Sequence, residues 1–156
     1  VAAMCRYSVD QIGADHIFID SLMKVIRHED DYNGQKAFID TCTSIAQTTG
    51  VHIHIIHHMR KTDDESKPGG KFGLKGSGSI SDQVDNVFIV WKNKKKIQER
   101  ERGGEIDEGK PDGLLICDKQ RHGDKEPTVA LWFSENAQQV VSAPNANAMD
   151  LMRTLI

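Results

Sequence analysis

Short apolar runs alternate with amphipathic and charged stretches along this chain, and the first of them predict a strand-helix-strand unit. Residues 16–20 form an apolar run that ends in Asp20, a pattern typical of a buried parallel strand. Residues 34–49 carry apolar side chains at helical spacing, and Gly50 follows as a helix stop signal. Residues 51–56 are again apolar and β-branched, with interleaved histidines. Strands joined by a crossover helix pair in parallel, so this region predicts a parallel sheet.

Later apolar runs extend the predicted sheet. Further strands are expected at residues 87–91, 114–117, 128–133 and 139–141, with a short helix or turn at 79–84. The last two strands form a closing hairpin whose turn contains Asn136. We therefore predict an α/β fold with a mainly parallel sheet, helices on both faces and an antiparallel hairpin at one edge.

Two stretches of the chain lack a periodic pattern. Residues 60–76 combine charged residues with Pro68 and several glycines, which predicts a long exposed loop. Residues 92–112 are dense in Lys, Glu, Arg and Gly and contain nothing that forms a core. We expect this second stretch to be a solvated charged loop rather than a binding patch.

Composition narrows the class of protein. A chain of 156 residues buries one sizeable core, and its formal net charge of -3 is not that of a strongly basic nucleic-acid-binding domain. A protein that encloses DNA in a ring needs positive charge only on the loop that faces its channel. Cys5, Cys42 and Cys117 are widely spaced, which favours reduced, buried thiols in the cytoplasm. No apolar stretch is long enough for a membrane span, so we expect no membrane partner.

The pair Asp20-Ser21 has the form of a magnesium-binding motif. In ATPases with a phosphate loop, a carboxylate at the end of an apolar strand, followed by a hydroxyl residue, holds the Mg²⁺ of the bound nucleotide. Strands of many α/β proteins end in Asp, however, and such an acid also caps helices. The motif alone leaves both interpretations open.

Four histidines within residues 51–58 raise the alternative of a zinc site. Zinc hydrolases of the metallo-β-lactamase type use the pattern His-x-His-x-Asp-His, but Ile56 stands at the position of the Asp. Strand alternation also places His52 and His54 on one face and His57 on the other. We therefore expect His52 and His54 to be packing residues. His58 ends the strand, where a donor reaches the outermost phosphate of a bound nucleotide.

Basic residues occur at two further places. Glycines in the loop at 60–76 let its backbone approach a phosphodiester chain closely, although a purely solvated loop is the alternative. Its candidate DNA-binding residues are Arg60, Lys61, Lys67, Lys71, Lys75 and Gly76. Lys119 and Arg121 would project to the same side if the strand before them continues, and such a pair clamps phosphate. A surface basic pair is an equal alternative.

Taken in order and spacing, these motifs resemble the RecA-like motor domain of DnaB-type hexameric replicative helicases, especially the branch of phage primase-helicases and Twinkle. Residues 51–61 resemble the sensor strand of that family, residues 74–87 its DNA-loop motif and residues 118–121 its Lys-x-Arg finger. The resemblance covers residues 16–133. It implies a partial phosphate-loop ATPase core.

The resemblance also implies a function. The parent protein would be an ATP-dependent DNA helicase of the 5′–3′ type, a hexameric ring that translocates on single-stranded DNA with ATP or another NTP and Mg²⁺. A primase domain or a separate primase would be a further partner. The location would be the cytoplasm of a bacterial or phage-infected cell.

Roles for individual residues follow from the same resemblance. Asp20 would act on Mg²⁺ beside Ser21, and His58 would sense the terminal phosphate. The loop at 60–76, through Lys75 and Gly76 above all, would contact DNA in the central channel. Lys119 and Arg121 would reach the nucleotide site of the neighbouring subunit, with Arg121 as the arginine finger.

A phosphate loop is missing from this sequence, because the spacing Gly-x-x-x-x-Gly-Lys-Ser/Thr occurs nowhere in it. The chain also begins without Met and ends in an apolar run at 151–156. We therefore expect residues 1–156 to be one incomplete motor domain that is inactive alone. The alternatives are a related ATPase without helicase activity, such as a recombinase or loader, a zinc hydrolase, and a non-catalytic DNA-binding or assembly module.

Overall fold

The computed structural model describes residues 1–26, 28, 30–59, 68–69 and 79–150. The chain divides into two compact units, each with its own sheet. The described residues of the first unit are 1–26, 28, 30–59 and 79–85, and those of the second are 68–69 and 86–150.

The described residues of the first unit form a parallel pair of strands and four helices. Its elements are α1 (Ala2–Ile12), β1 (His16–Asp20), α2 (Leu22–Val25), α3 (Tyr32–Thr49), β2 (His52–Ile56) and α4 (Ser79–Gln83). Strands β1 and β2 pair in parallel without a register shift, from His16 opposite His52 to Asp20 opposite Ile56. The predicted strand-helix-strand unit is therefore confirmed.

Local signals define both ends of the connecting helix α3. The side chain of Asp31 accepts a hydrogen bond from the backbone N–H of Gly34 at 2.8 Å, which satisfies one of the unpaired donors of the first turn. Gly50 ends the helix in the left-handed conformation with φ of 77°, where a side chain would be strained. The predicted stop signal is thus the residue that ends the helix.

The core of this unit lies between its helices and one face of the β1–β2 pair. Ile19, Ile45 and Val51 are buried there together with Cys5 and Cys42. The pKa of the Cys42 thiol is raised from 9.0 to about 11, mainly by burial and in addition by the neighbouring Cys5, while the charge of the amino terminus acts in the opposite direction. All three cysteines are buried and free, so the expectation of buried thiols is confirmed.

The second unit is antiparallel, which corrects the predicted fold class. Its elements are β3 (Asn86–Lys92), α5 (Lys94–Glu101), β4 (Gly113–Gln120), β5 (Thr128–Ser134) and β6 (Gln139–Val141). The strands form a four-stranded sheet in the order β3-β4-β5-β6, and every neighbouring pair is antiparallel. The prediction of a mainly parallel, RecA-like core is therefore wrong: the described residues form a small mixed α/β fold with two separate sheets.

The physical reason is that apolar runs do not encode strand direction. The run within β3 reads as a buried strand in either orientation, and direction is decided by how the chain returns. Here residues 93–112 bring the chain back so that Lys92 lies opposite Gly113 and Asn86 opposite Gln120. The predicted hairpin of β5 and β6 around Asn136 is confirmed.

The stretch at 92–112 also differs from the expected solvated loop. It contains α5, and the side chain of Asn93 caps this helix by accepting a hydrogen bond from the N–H of Lys96 at 3.1 Å. Lys96 is buried, with 4% of its surface exposed. A charge-rich segment thus forms ordered structure here because its charges pair with one another.

No helix in the described part of the chain is long and apolar enough to cross a membrane.

Candidate functional site

The predicted nucleotide edge lies at the carboxyl ends of the two parallel strands. Asp20 is the last residue of β1 and lies opposite Ile56, the last residue of β2. His58 follows two residues later, and both Asp20 and His58 are exposed. Because the strands are parallel and in register, the chain segments that carry these two side chains leave the sheet at the same edge.

Ser21 has a different environment from its neighbour Asp20. It begins α2 as the cap residue, is 3% exposed and makes no side-chain hydrogen bond to that helix. Leu22 follows it and is fully buried. The chain thus enters the core directly after Asp20, so the Asp20 carboxylate faces solvent while the Ser21 hydroxyl lies inside.

The predicted basic pair lies in the second unit. Lys119 is half-buried in β4 opposite Val87, whereas Arg121 lies just past the end of that strand and is exposed. The condition for a shared side, that the extended strand continues through both residues, is not met because β4 ends at Gln120. Asp20 and His58 belong to the other unit.

The candidate DNA-binding residues lie outside the described residues. They are Arg60, Lys61, Lys67, Lys71, Lys75 and Gly76. Their assignment to DNA stays a prediction.

A group of three histidines at the amino ends of the same two strands was not predicted. His16 and His52 are register partners on adjacent strands, and His54 follows on the same face of β2. One ring nitrogen from each of the three lies within 4.8 Å of the other two, and Nδ1 of His16 is 3.1 Å from Nε2 of His54. Among the described residues, these three histidines lie close enough together to hold a metal ion after side-chain rotation.

The three rings stack on one another and on an aromatic neighbour. The ring centroids of His52 and His54 are 4.3 Å apart, and those of Phe18 and His54 are also 4.3 Å apart. Burial lowers the pKa of His54, and the charges of His52 and His16 lower it further. The neutral imidazole, which is the form that binds metal ions, is therefore favoured at His54.

His52 and His54 were candidate residues in the sequence, whereas His16 was not. The expectation that His52 and His54 share a face is confirmed, while their interpretation as packing residues overlooked that His52 is exposed. A signal was present, because His16 and His52 each begin an apolar strand in one strand-helix-strand unit. Aligning the starts of the two strands places these histidines side by side.

A second polar cluster connects α5 to the sheet of the second unit. Nζ of Lys96 lies 3.0 Å from Oδ1 of Asp112 and 3.4 Å from Oε2 of Glu108, and Arg100 also contacts both carboxylates. Burial by itself raises the pKa of Asp112. Hydrogen bonds from Phe133 and Lys96 and the charges of Lys96 and Arg100 outweigh burial and lower it. These paired charges hold α5 in place.

No model of a known protein family matches the chain, and no curated protein matches it. The resemblance to DnaB-type helicases therefore stays a prediction from motifs.

Proposed function

We propose that this chain is part of the motor of a ring-shaped, ATP-dependent DNA helicase of the DnaB type. The observation that most directly supports this proposal is that Asp20 and His58 lie at the shared carboxyl edge of β1 and β2. Nucleotides bind α/β proteins at the carboxyl ends of parallel strands. The more specific assignment to a helicase rests on the order of the motifs along the sequence.

In this proposal Asp20 holds the Mg²⁺ of bound ATP. Mg²⁺ prefers carboxylate oxygens and keeps several water ligands, so an exposed carboxylate at a strand end suits it. Ser21 beside Asp20 is buried, so its hydroxyl contacts the ion only if it turns outward. His58 donates a hydrogen bond to the terminal phosphate.

The phosphate-sensing residue is connected to the predicted DNA loop. His58 is separated only by Met59 from the segment at 60–76 that carries the candidate DNA-binding residues. A change at the phosphate therefore shifts the root of that loop and pulls on single-stranded DNA. Arg121, exposed after β4, serves the nucleotide site of a neighbouring subunit with Lys119 beside it.

The phosphate loop that this function requires is absent from the sequence, and the proposal assigns it to a segment outside these 156 residues. The chain by itself is then inactive. Activity is tested in the longer protein that includes that segment.

The experiment measures ATP hydrolysis, with and without single-stranded DNA, and unwinding of a forked duplex. Asp20→Asn is expected to lower hydrolysis by at least about 100-fold, because bound Mg²⁺ stabilises the charged transition state by several kcal/mol. His58→Ala is expected to keep basal hydrolysis within about tenfold and to lose the stimulation by DNA.

Matched controls are exposed residues of the same unit that lie outside both proposed sites. Asp15 precedes β1 and His28 follows α2, so Asp15→Asn and His28→Ala are expected to leave hydrolysis and its stimulation unchanged. Full hydrolysis in Asp20→Asn would overturn the assignment of the site. DNA-stimulated hydrolysis without unwinding would instead identify a related ATPase that is not a helicase.

A further inference from the structure

The exposed face of the β1–β2 pair carries three histidines at its amino end. His16 and His52 are directly opposite each other, and His54 is two residues further along β2 on the same face. The mutual separation of one ring nitrogen from each is at most 4.8 Å. This cluster is formed by strand pairing, so it does not depend on a loop.

Three histidine side chains are a ligand set for divalent transition-metal ions. Zn²⁺ binds histidine nitrogens at 2.0–2.1 Å, so the nitrogens of a tetrahedral site lie about 3.4 Å apart. The His16 and His54 nitrogens, 3.1 Å apart, are already at about that separation. The two ligand nitrogens that are farthest apart, within 4.8 Å of each other, reach the tetrahedral separation if their distance shortens by little more than about 1 Å.

Side-chain rotation is sufficient to make the rings converge. The rings of His52 and His54 lie within 6° of parallel and that of His16 within 24° to 26° of them, so their lone pairs do not yet meet at one point. His16 and His52 are exposed and have room to rotate about their side-chain bonds. Phe18 stacks on His54 and holds the third ring in place.

We propose that His16, His52 and His54 form a binding site for a divalent transition-metal ion, with Zn²⁺ as the ion that fits best. Three protein ligands leave one position of a tetrahedral ion for water or another ligand. The ion joins the amino ends of β1 and β2, so it stabilises the first unit.

This site is separate from the predicted nucleotide edge. Asp20 lies four residues beyond His16 on β1, which is about 13 Å along a strand. The site also differs from the zinc-hydrolase pattern considered for residues 51–58, because it uses His16 and not His57. Its presence or absence does not bear on the helicase proposal.

The test uses the 156-residue chain, freed of metal by a chelator and then titrated with Zn²⁺ in a calorimeter. One equivalent is expected to bind. His16→Ala, His52→Ala and His54→Ala are each expected to weaken binding by at least about 100-fold, which exceeds the usual effect of losing a group that only supports a ligand. His28→Ala and His122→Ala, at exposed histidines elsewhere, are the controls and keep wild-type affinity.

A second measurement identifies the ligands directly. The chain has seven histidines, and ¹⁵N-correlated NMR spectra of their rings show which of them respond to Zn²⁺. Shifts confined to His16, His52 and His54 support the proposal. Shifts centred on His57 and His58, wild-type affinity in His16→Ala, or no binding by a folded chain would each overturn it.

Protein folding is controlled in the same samples. Circular dichroism of each variant without metal shows whether it is folded, and His16→Ala is the decisive variant because its side chain is exposed. Zn²⁺ is also expected to raise the unfolding temperature of the wild-type chain and to leave that of His16→Ala unchanged.

Discussion

The ammonium group of Lys96 is buried, and its Nζ lies 3.0 Å from Oδ1 of Asp112 and 2.6 Å from the carbonyl oxygen of Lys110. The other carboxylate oxygen of Asp112 accepts a hydrogen bond from the N–H of Phe133 in β5 at 2.9 Å. The pair therefore connects α5 to β5. A charged segment that forms no apolar core is held against the sheet in this way.

Replacing Lys96 by Met is expected to destabilise the second unit by about 3 kcal/mol. Removing one partner of a buried ion pair leaves the other charge without compensation, which is usually costly. Arg100, 3.5 Å from Asp112, remains as a partner of this carboxylate. The destabilisation is therefore expected at the lower end of the roughly 3–5 kcal/mol that the loss of one partner of a buried pair usually costs. Urea unfolding followed by tryptophan fluorescence measures the effect, because Trp91 and Trp132 both lie in this unit.

Lys110→Met is the matched control for this variant. The Lys110 side chain is 71% exposed and pairs with Asp107 at 3.7 Å, so its loss is expected to cost less than about 1 kcal/mol. Its backbone carbonyl still accepts from Lys96. Equal unfolding midpoints for Lys96→Met and the wild type would show that the buried pair does not hold α5.

The stability of the second unit is expected to fall in acid through Asp112. The pKa of this carboxyl is lowered in the folded protein, so the unfolded chain binds the proton more readily. The contribution of Asp112 is therefore complete above about pH 4 and is lost as the pH falls through its folded pKa. Urea midpoints between pH 5.5 and pH 2.5 measure this loss through tryptophan fluorescence.

Asp112→Asn is expected to be less stable at pH 5.5 and to show a flatter dependence below pH 4. Asp124→Asn changes an exposed carboxylate of the same unit and keeps the wild-type slope, because the contacts of Asp112 remain intact. An unchanged slope in Asp112→Asn would assign the acid sensitivity to another group.

The strand-helix-strand part of the first unit was predicted because its signals are local, whereas α1 and α2 were not predicted. A carboxylate ends β1 and Gly50 stops α3, and each signal lies at the end of the element that it defines. The parallel pairing then follows from the length of the connection. The sequence also predicted that Asp20 and His58 follow the carboxyl ends of two parallel strands; β1 ends at Asp20, and β2 ends at Ile56, two residues before His58.

The second unit was predicted only as separate strands. The direction of β3 relative to β4 depends on how residues 93–112 fold back, and within that segment Lys96 is buried. A lysine in a run of charged residues reads as a solvated side chain, because burial of such a group depends on partners 12 and 16 residues away, Glu108 and Asp112. Pattern analysis of a single segment does not reveal these pairs.

The histidine cluster was not predicted for the same reason: it also depends on residues that are far apart in the sequence. His52 and His54 are close in sequence and were considered together, whereas His16 comes from a different strand 36 residues earlier. Only the register of β1 against β2 brings it to them. Sites that depend on strand pairing require the pairing to be worked out first.

The proposed role of Arg121 in a neighbouring subunit predicts complementation between two inactive variants of the longer protein. Rings made only of Asp20→Asn subunits or only of Arg121→Ala subunits are expected to hydrolyse ATP at least about 100-fold more slowly than the wild type, since each lacks one half of every site. In rings assembled from an equal mixture, about a quarter of the sites combine an intact Asp20 with an intact neighbouring Arg121. Hydrolysis near a quarter of the wild-type rate is therefore expected from the mixture.

A finger that acts within its own subunit leaves every site of the mixed rings defective, so a mixture as inactive as its components would contradict the assignment. Lys125→Ala, at an exposed basic residue in the same connection, supplies the control, since its rings and their mixtures with wild-type subunits should keep full hydrolysis.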